Sequence, residues 1–390
     1  MLLRTVRCVN GEVQVEFDCE PMFDYGRKQA SWSYTDRGYH QGVASADGVD
    51  LQLTTDFRLG FEGARAVART LMKEGDIRFC ALSWTEHEPP YDYAKAYRRL
   101  TWTAHHLQHW LARGEFPDHP WRTYLQRSAL TLKGLTFALT GALVAAATTS
   151  LPETPGGERN WDYDYAWIRG STIALWALYT LGFDWEANDF FWFIADVAER
   201  DPELHIMYGV DGEPELHEEI LDHLHGYEGA KPVRIGNGAF DQRQHDVWGA
   251  VLDSVYLHTR SRDRLDERLW PVLKRQVECA LRYWREPDRG IWEVRGEPQH
   301  FTSSKMMCWV AAGRGARLAR LREEYELADR WQTAADEMHA DICRQWHRRA
   351  RSIRPALGHS RHSRHPLGAG EPAPRERPVR LAMESELMQH

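Results

Sequence analysis

The period of the apolar residues changes once along this chain, near Asp92, and that change restricts the possible folds more than any other feature. Before it, 13–17 (VQVEF), 51–59 (LQLTTDFRL) and 77–84 (IRFCALSW) are short, partly alternating runs divided by Gly and Asp turns. Such runs predict strands, here part of a β-sandwich over 1–90. After it, Tyr97, Leu100, Thr101, His105, Leu107 and Leu111 recur at helical spacing and predict a linker helix within 91–117. Helical patterns then continue over 120–147, 168–181, 185–200, 215–224, 242–258, 264–285, 303–321 and 323–344. Their connections carry Pro, Gly and Asn clusters such as PETPGGERN and GNGAFDQ. Seven or eight helices of similar length predict a mainly α chain with an α/α solenoid or toroid over 118–343.

Composition removes several classes of function. At 390 residues the chain is long enough for two or three domains and a large core. Lys and Arg total 49 against 57 Asp and Glu, a net charge of −8, which argues against a nucleic-acid or polyanion binder. The six cysteines lack CxxC spacing, so free thiols in a reducing compartment, no zinc site and a cytoplasmic location are expected. The opening residues contain no apolar run of a secretory leader. The segment 134–151, GLTFALTGALVAAATTSL, is studded with Gly and Thr and ended by Pro152, and reads as a buried helix rather than a membrane span. His217, His223 and His225 lie close in sequence without an HExxH spacing, so surface or capping roles are expected, and no metal or cofactor is implied. From residue 344 to 390 the chain is rich in Arg, His and Pro, and a disordered tail without a core is expected.

The 17 Trp and 15 Tyr fill a core or line a pocket. Trp176, Trp185 and Trp192 fall on helices and are expected in the core. Two loop regions join aromatics to charges. In 160–172, NWDYDYAWIRGST, Tyr163 and Trp167 are four residues apart at a helix start, with Arg169 near them. This group suits a sugar, whose C–H face meets an aromatic plate while its hydroxyls meet a charged fork, although the same residues also suit a helix entry packed as core. In 290–302, GIWEVRGEPQHFT, Glu293 adjoins Trp292, an arrangement that raises a carboxyl pKa by desolvation. Between them, 226–246 is a polar loop in which Arg234, Asn237, Gln242, Gln244 and Asp246 either bind a ligand or cap a helix.

In order and spacing, TGALVAAATTSLPETPGGERNWDYDYAWIRGSTIALWALYTLGF, GYEGAKPVRIGNGAFDQRQHDVWGAVLD and GIWEVRGEPQHFTSSKMMCWVA resemble bacterial members of glycoside hydrolase family 15, nearest its trehalase-like branch. The resemblance covers roughly 1–343. It implies an N-terminal β-sandwich, a linker helix and an (α/α)6 barrel, with inverting hydrolysis of an α-glucosidic bond in a small molecule or oligosaccharide. An acid then protonates the leaving oxygen and a carboxylate ~6.5–9.5 Å away activates water. It also implies that Glu293 is the general acid and that Tyr163, Trp167, Arg169 and Trp292 line the pocket for the terminal glucose, with Arg234 in a further matching loop. Three departures follow. Gly170 stands where the family has Asp after the Arg, removing a carboxylate worth ~1.5–3 kcal/mol per charged hydrogen bond. The first sandwich strands are missing from the match. Beyond Cys343 the further helices and the general-base Glu are not found, and neither Glu384 nor Glu386 is nominated for that role. The expectation is an incomplete toroid, truncated at both ends. Three readings stay open: a trehalase-like hydrolase, a glucoamylase-like one, and a sugar-binding remnant inactive for want of its base.

Overall fold

Alternation of side chains between core and solvent organises the N-terminal region into strands. They are β1 (Leu2–Arg7), β2 (Glu12–Cys19), β3 (Met22–Phe23), β4 (Lys28–Gln29), β5 (Ser31–Thr35), β6 (Gly38–Ala46), β7 (Val49–Thr55), β8 (Gly60–Glu62), β9 (Arg65–Lys73) and β10 (Ile77–Trp84). The computed structural model describes residues 1–84, 88–262, 265–293 and 295–353. One antiparallel sheet runs β1-β10-β7-β6-β5 and a second β2-β9-β8, while β3 and β4 form a separate hairpin. Leu53 and Leu82 face each other in the first sheet and share a core with Phe17, Phe61 and Ala66 from the second, so the two sheets enclose one apolar layer.

The side chain of Asp92 caps α1 (Tyr93–Ala112) by accepting from the Lys95 N–H at 2.7 Å. This helix packs on β1, β10 and α2 (Arg122–Leu135) and joins the two regions as the periodicity predicts. There follow α3 (Ile168–Thr180), α4 (Asp184–Arg200), α5 (Asp246–Arg262), α6 (Leu269–Tyr283), α7 (Thr302–Leu321) and α8 (Tyr325–Ile353). Helices pack both on their sequence neighbours and on the helix next but one. The α5 helix lies between α3 and α7, while α6 contacts α4 and meets α8 through Trp270 and Trp331. Lys133 of α2 likewise reaches Glu186 of α4 at 2.8 Å. Two layers of helices stepping around a common centre are the pattern of an α/α toroid. Its core joins Trp248, Leu252, Leu273, Val277, Ala311 and Trp331.

The structure departs from the sequence expectations at several places. The helix expected over 120–147 stops at Leu135, and 136–151 is loop. Gly141 there has φ +80° and lies so near the Asp189 backbone that a Cβ would come within 2.5 Å of its carbonyl carbon. Thr140 Oγ1 donates to the Val210 carbonyl at 2.6 Å. The run is therefore an irregular segment, buried at Gly141, Ala142 and Leu143 but exposed at Leu139, whose polar groups find tertiary partners. No helix forms over 215–224; Glu219–Ile220 pairs antiparallel with Arg234–Ile235, and tertiary pairing overrides a weak helical pattern. Trp176, Trp185 and Trp192 are exposed rather than core, since α3 and α4 turn those faces outward; the Arg268 guanidinium covers the Trp192 ring at 4.8 Å.

The chain divides into two units, Met1–Ile342 and Cys343–His390. The second begins within α8, which continues to Ile353 rather than ending near residue 344, because RQWHRRARSI contains no Gly or Pro to stop it. The remainder of the expected tail, 354–390, lies outside the described residues.

Candidate functional site

The site is assembled from three loops that precede or link helices. Ala166 and Trp167 pair antiparallel with Tyr208 and Met207, which keeps the residues before α3 extended. Tyr163, Tyr165 and Trp167 then share one side at period two, their rings 5.6 and 6.3 Å from that of Trp167. The expected pairing of Tyr163 with Trp167 is present, but it comes from extended backbone and not from a helix face. The α3 helix begins at the next residue and places Arg169 in its first turn.

Arg169 is the hub. One terminal nitrogen donates to Gln244 Oε1 and Asp246 Oδ2, each at 2.8 Å, and the other to the Ile291 carbonyl at 3.2 Å and Glu293 Oε1 at 3.4 Å. Asp246 is 1% exposed and opens α5, where it accepts from Arg169. Gln242 Nε2 donates to the Glu293 carbonyl at 3.4 Å and Gln244 Nε2 to Gln242 Oε1 at 3.2 Å. The polar loop therefore fixes the Arg and the Glu, a role its sequence left open between ligand binding and helix capping.

Glu293 follows Gly290 in a turn and holds a left-handed φ of +52°, a conformation uncommon for a residue with a side chain. Its Oε1 accepts from Trp167 Nε1 at 2.8 Å. Burial raises the Glu293 pKa; the Trp167 hydrogen bond and Arg169 pull it down without overcoming burial, and Asp246 adds to the rise. The side chain remains 25% exposed, so it is both desolvated and reachable. Trp292, expected to supply the desolvation and a pocket wall, is instead 76% exposed. The aromatic that touches Glu293 is Trp167.

Arg234 stands in a neighbouring wall. It donates to the carbonyls of Glu158 and Asn160 at 3.0 and 3.3 Å, and its Nε lies 3.4 Å from Glu218 Oε1. Arg295 makes a two-pronged pair with the same Glu218, and both guanidiniums lie over the Trp161 ring, at 4.6 and 4.4 Å. Burial disfavours the Glu218 charge, but the hydrogen bonds from Arg295 and Gly238 win and its pKa falls. Glu218, Arg295 and Trp161 were not singled out from sequence. Arg295 lies within the motif of Glu293, whereas Glu218 sits in a stretch that reads as helix. Behind the loops, buried Asp162 accepts from Tyr165 Oη at 3.1 Å and the Gly236 N–H at 3.0 Å, tying 160–167 to the strand pair below.

The sequence profile of Glycosyl hydrolases family 15 matches residues 120–363. The chain belongs to glycosyl hydrolases family 15. Over 352 residues, 88% of this chain, it is 61% identical to the trehalase of Mycobacterium tuberculosis, of which it covers 52%. Identity to the Mycolicibacterium smegmatis trehalase is 58% over the same shares. The Thermoplasma volcanium trehalase is 30% identical over 342 residues, 87% of this chain and 54% of that one. The family 15 chain thus spans about half the length of the curated relatives it matches. Among solved structures, a bacterial glucoamylase complexed with acarbose superposes with a TM-score of 0.53 over 76% of this chain and 45% of that one. At 13% identity that likeness shows the shared α/α toroid fold.

Among the described residues, the family 15 chain has no group of three or more His, Cys, Asp or Glu placed to hold a metal ion, and no helix long and apolar enough to cross a membrane. His223, one of the clustered histidines, is engaged with the Tyr25 carbonyl at 2.9 Å.

Proposed function

We propose that this chain binds a terminal α-glucosyl unit and carries the proton donor of an inverting, trehalase-like glycoside hydrolase. The observation that carries the reading is Glu293, a carboxyl raised in pKa by burial, held by Trp167 Nε1 and adjacent to Arg169. A general acid must be protonated before it meets the glycosidic oxygen and must then release its proton in the transition state, and a raised carboxyl pKa meets both needs near neutral pH. Tyr163 and Trp167 supply tilted aromatic faces for the sugar ring, and Arg169 orients the carboxyl.

Inversion further requires a carboxylate across the ring to activate water, ~6.5–9.5 Å from the acid. Asp246 is unsuited to it, being almost fully buried and bound to Arg169. The similarity to trehalases favours trehalose as substrate over maltooligosaccharides. The buried thiols of Cys8, Cys279 and Cys308 fit a reducing compartment, and we place the protein in the cytoplasm. Purified chain is assayed for glucose release from trehalose and from maltooligosaccharides, with Glu293→Gln as control. Release from trehalose that drops ~10²–10⁴-fold in the variant supports the reading. Turnover undiminished in Glu293→Gln removes Glu293 from the chemistry, and saturable binding without turnover by the parent chain favours the sugar-binding remnant.

A further inference from the structure

Two carboxyl groups compete for one guanidinium at the inner end of the site, and they share it unequally. Arg169 Nη1 lies 2.8 Å from Asp246 Oδ2, whereas Nη2 lies 3.4 Å from Glu293 Oε1 and also donates to the Ile291 carbonyl at 3.2 Å. A charge-assisted hydrogen bond is ~2.7–2.9 Å long, so Arg169 pairs with Asp246 and only grazes Glu293. Gln244 Oε1 adds a neutral acceptor on the same Nη1 at 2.8 Å. Asp246 has no alternative among the described residues: it is 1% exposed, its ion pair is with Arg169, and its Oδ1 finds no hydrogen-bond partner. Parting the two would leave a buried charge uncompensated, which keeps the guanidinium on the α5 side.

This division fixes the two oxygens of Glu293 in different states. Oε1 accepts from Trp167 Nε1 at 2.8 Å and from Arg169, while Oε2 has no partner among the described residues. An oxygen that already accepts two N–H groups is the poorer place for a proton, so a protonated Glu293 carries it on Oε2. Were Arg169 to close on Glu293 as it does on Asp246, a two-pronged pair would engage both oxygens and favour the carboxylate. The other titratable neighbours do not replace Arg169. Arg295, two residues on, is taken by Glu218, and burial keeps the Tyr163 phenol protonated. The Glu293 pKa agrees: burial raises it most, the Trp167 hydrogen bond and Arg169 lower it, Asp246 raises it, and Arg295 lowers it least.

We propose that Asp246 is a positioning residue: by holding Arg169 on the α5 side, it leaves Glu293 Oε2 free to carry the proton that passes to the glycosidic oxygen. This rests on the reading of Glu293 as the proton donor. Carboxyl carbon-13 NMR of the full chain without substrate tests it, with the Glu293 signal identified by its absence from Glu293→Gln. Asp246→Asn and Asp246→Ser remove the competing charge, and each is expected to lower the titration midpoint of Glu293 by about one pH unit. Gln244→Ala releases the same guanidinium nitrogen without a change of charge and is expected to keep the parent's midpoint. Thermal melts confirm folding, and either folded Asp246 variant decides. A midpoint unchanged in the Asp246 variants, or moved as far in Gln244→Ala, overturns the role of Asp246 whatever the glucose assay shows. A lowered midpoint supports it, even where undiminished turnover in Glu293→Gln removes Glu293 from the chemistry.

Discussion

Glu293 is the acid of the proposed reaction, and its environment sets a direction for pH dependence. Its folded pKa is raised above the ordinary glutamate value of 4.5. The proton it holds favours the folded state below 4.5, and that contribution is lost as pH rises through the raised value. Under the proposed function the same sign applies: glucose release is expected to fall on the alkaline side as Glu293 ionises, at a pH above that of an unperturbed glutamate. A pH profile of kcat/KM reads this limb directly, and a limb at the pH of an unperturbed glutamate would contradict desolvation of the carboxyl. Gly170 offers the opposite experiment. A Cβ there meets only the Trp167 Cβ, at an ordinary 3.6 Å, so the first turn of α3 has room for a carboxylate that the helix N-terminus favours. Gly170→Asp is expected to tighten trehalose binding by ~1.5–3 kcal/mol, about tenfold or more, in a fluorescence titration. Unchanged affinity would show that position 170 does not face the sugar. At this scale Tyr163, Trp167 and Arg169 share one motif and Glu293 lies in another, and the structure brings the four together. Trp292 was misread because adjacency in sequence places successive side chains in different directions, and the left-handed turn at Glu293 turns Trp292 to solvent.

Helices in this chain are specified by periodicity and fitted together by small residues. Gly249 of α5 faces the α7 backbone, where a Cβ would stand 2.8 Å from the Met307 carbonyl carbon. Gly249→Ala gains ~1 kcal/mol of helix propensity. Backbone cannot yield as a flexible side chain does, and overpacking costs ~1–3 kcal/mol, so the net expectation is a loss of stability read as a lower urea midpoint. A midpoint that rises would mean that α5 and α7 separate freely. The bounds of α1, α3, α4 and α7 follow their patterns within a residue or two, since each has a continuous apolar stripe. The segment 136–151 does not, although it is equally apolar. Its backbone must pass against Asp189 at Gly141, and Thr140, Ala145 and Ala146 bond to the carbonyls of Val210, Tyr165 and Tyr163, a requirement invisible in local hydrophobicity.

Across the molecule, the polar groups behind the site link its stability to pH. His245 stacks on Trp248 at 5.0 Å and on Tyr283 at 6.2 Å, and burial together with Arg243 lowers its pKa from 6.5 to about 4. A histidine depressed in this way stabilises the fold fully above about pH 6.5 and loses that contribution as pH falls towards 4, on the order of 3 kcal/mol. The raised carboxyls of Asp288 and Glu293 act in the opposite sense on acidification and offset part of it. Thermal melts from pH 7 to 4.5 are expected to show a falling midpoint, flattened in His245→Phe, which keeps the stack; equal slopes in both proteins would exclude His245 as the cause. The sequence by itself determined the succession of sandwich, linker helix and paired helices, because each element carries its own period of two or 3.6. Two short motifs also hold Tyr163, Trp167, Arg169 and Glu293, which the structure brings together. Tertiary structure alone decided that Asp246 and Gln244 anchor Arg169 and that Glu218 and Arg295 form a wall. These partners lie dozens of residues apart, and a charge or ring has no periodicity that reveals which distant loop will satisfy it.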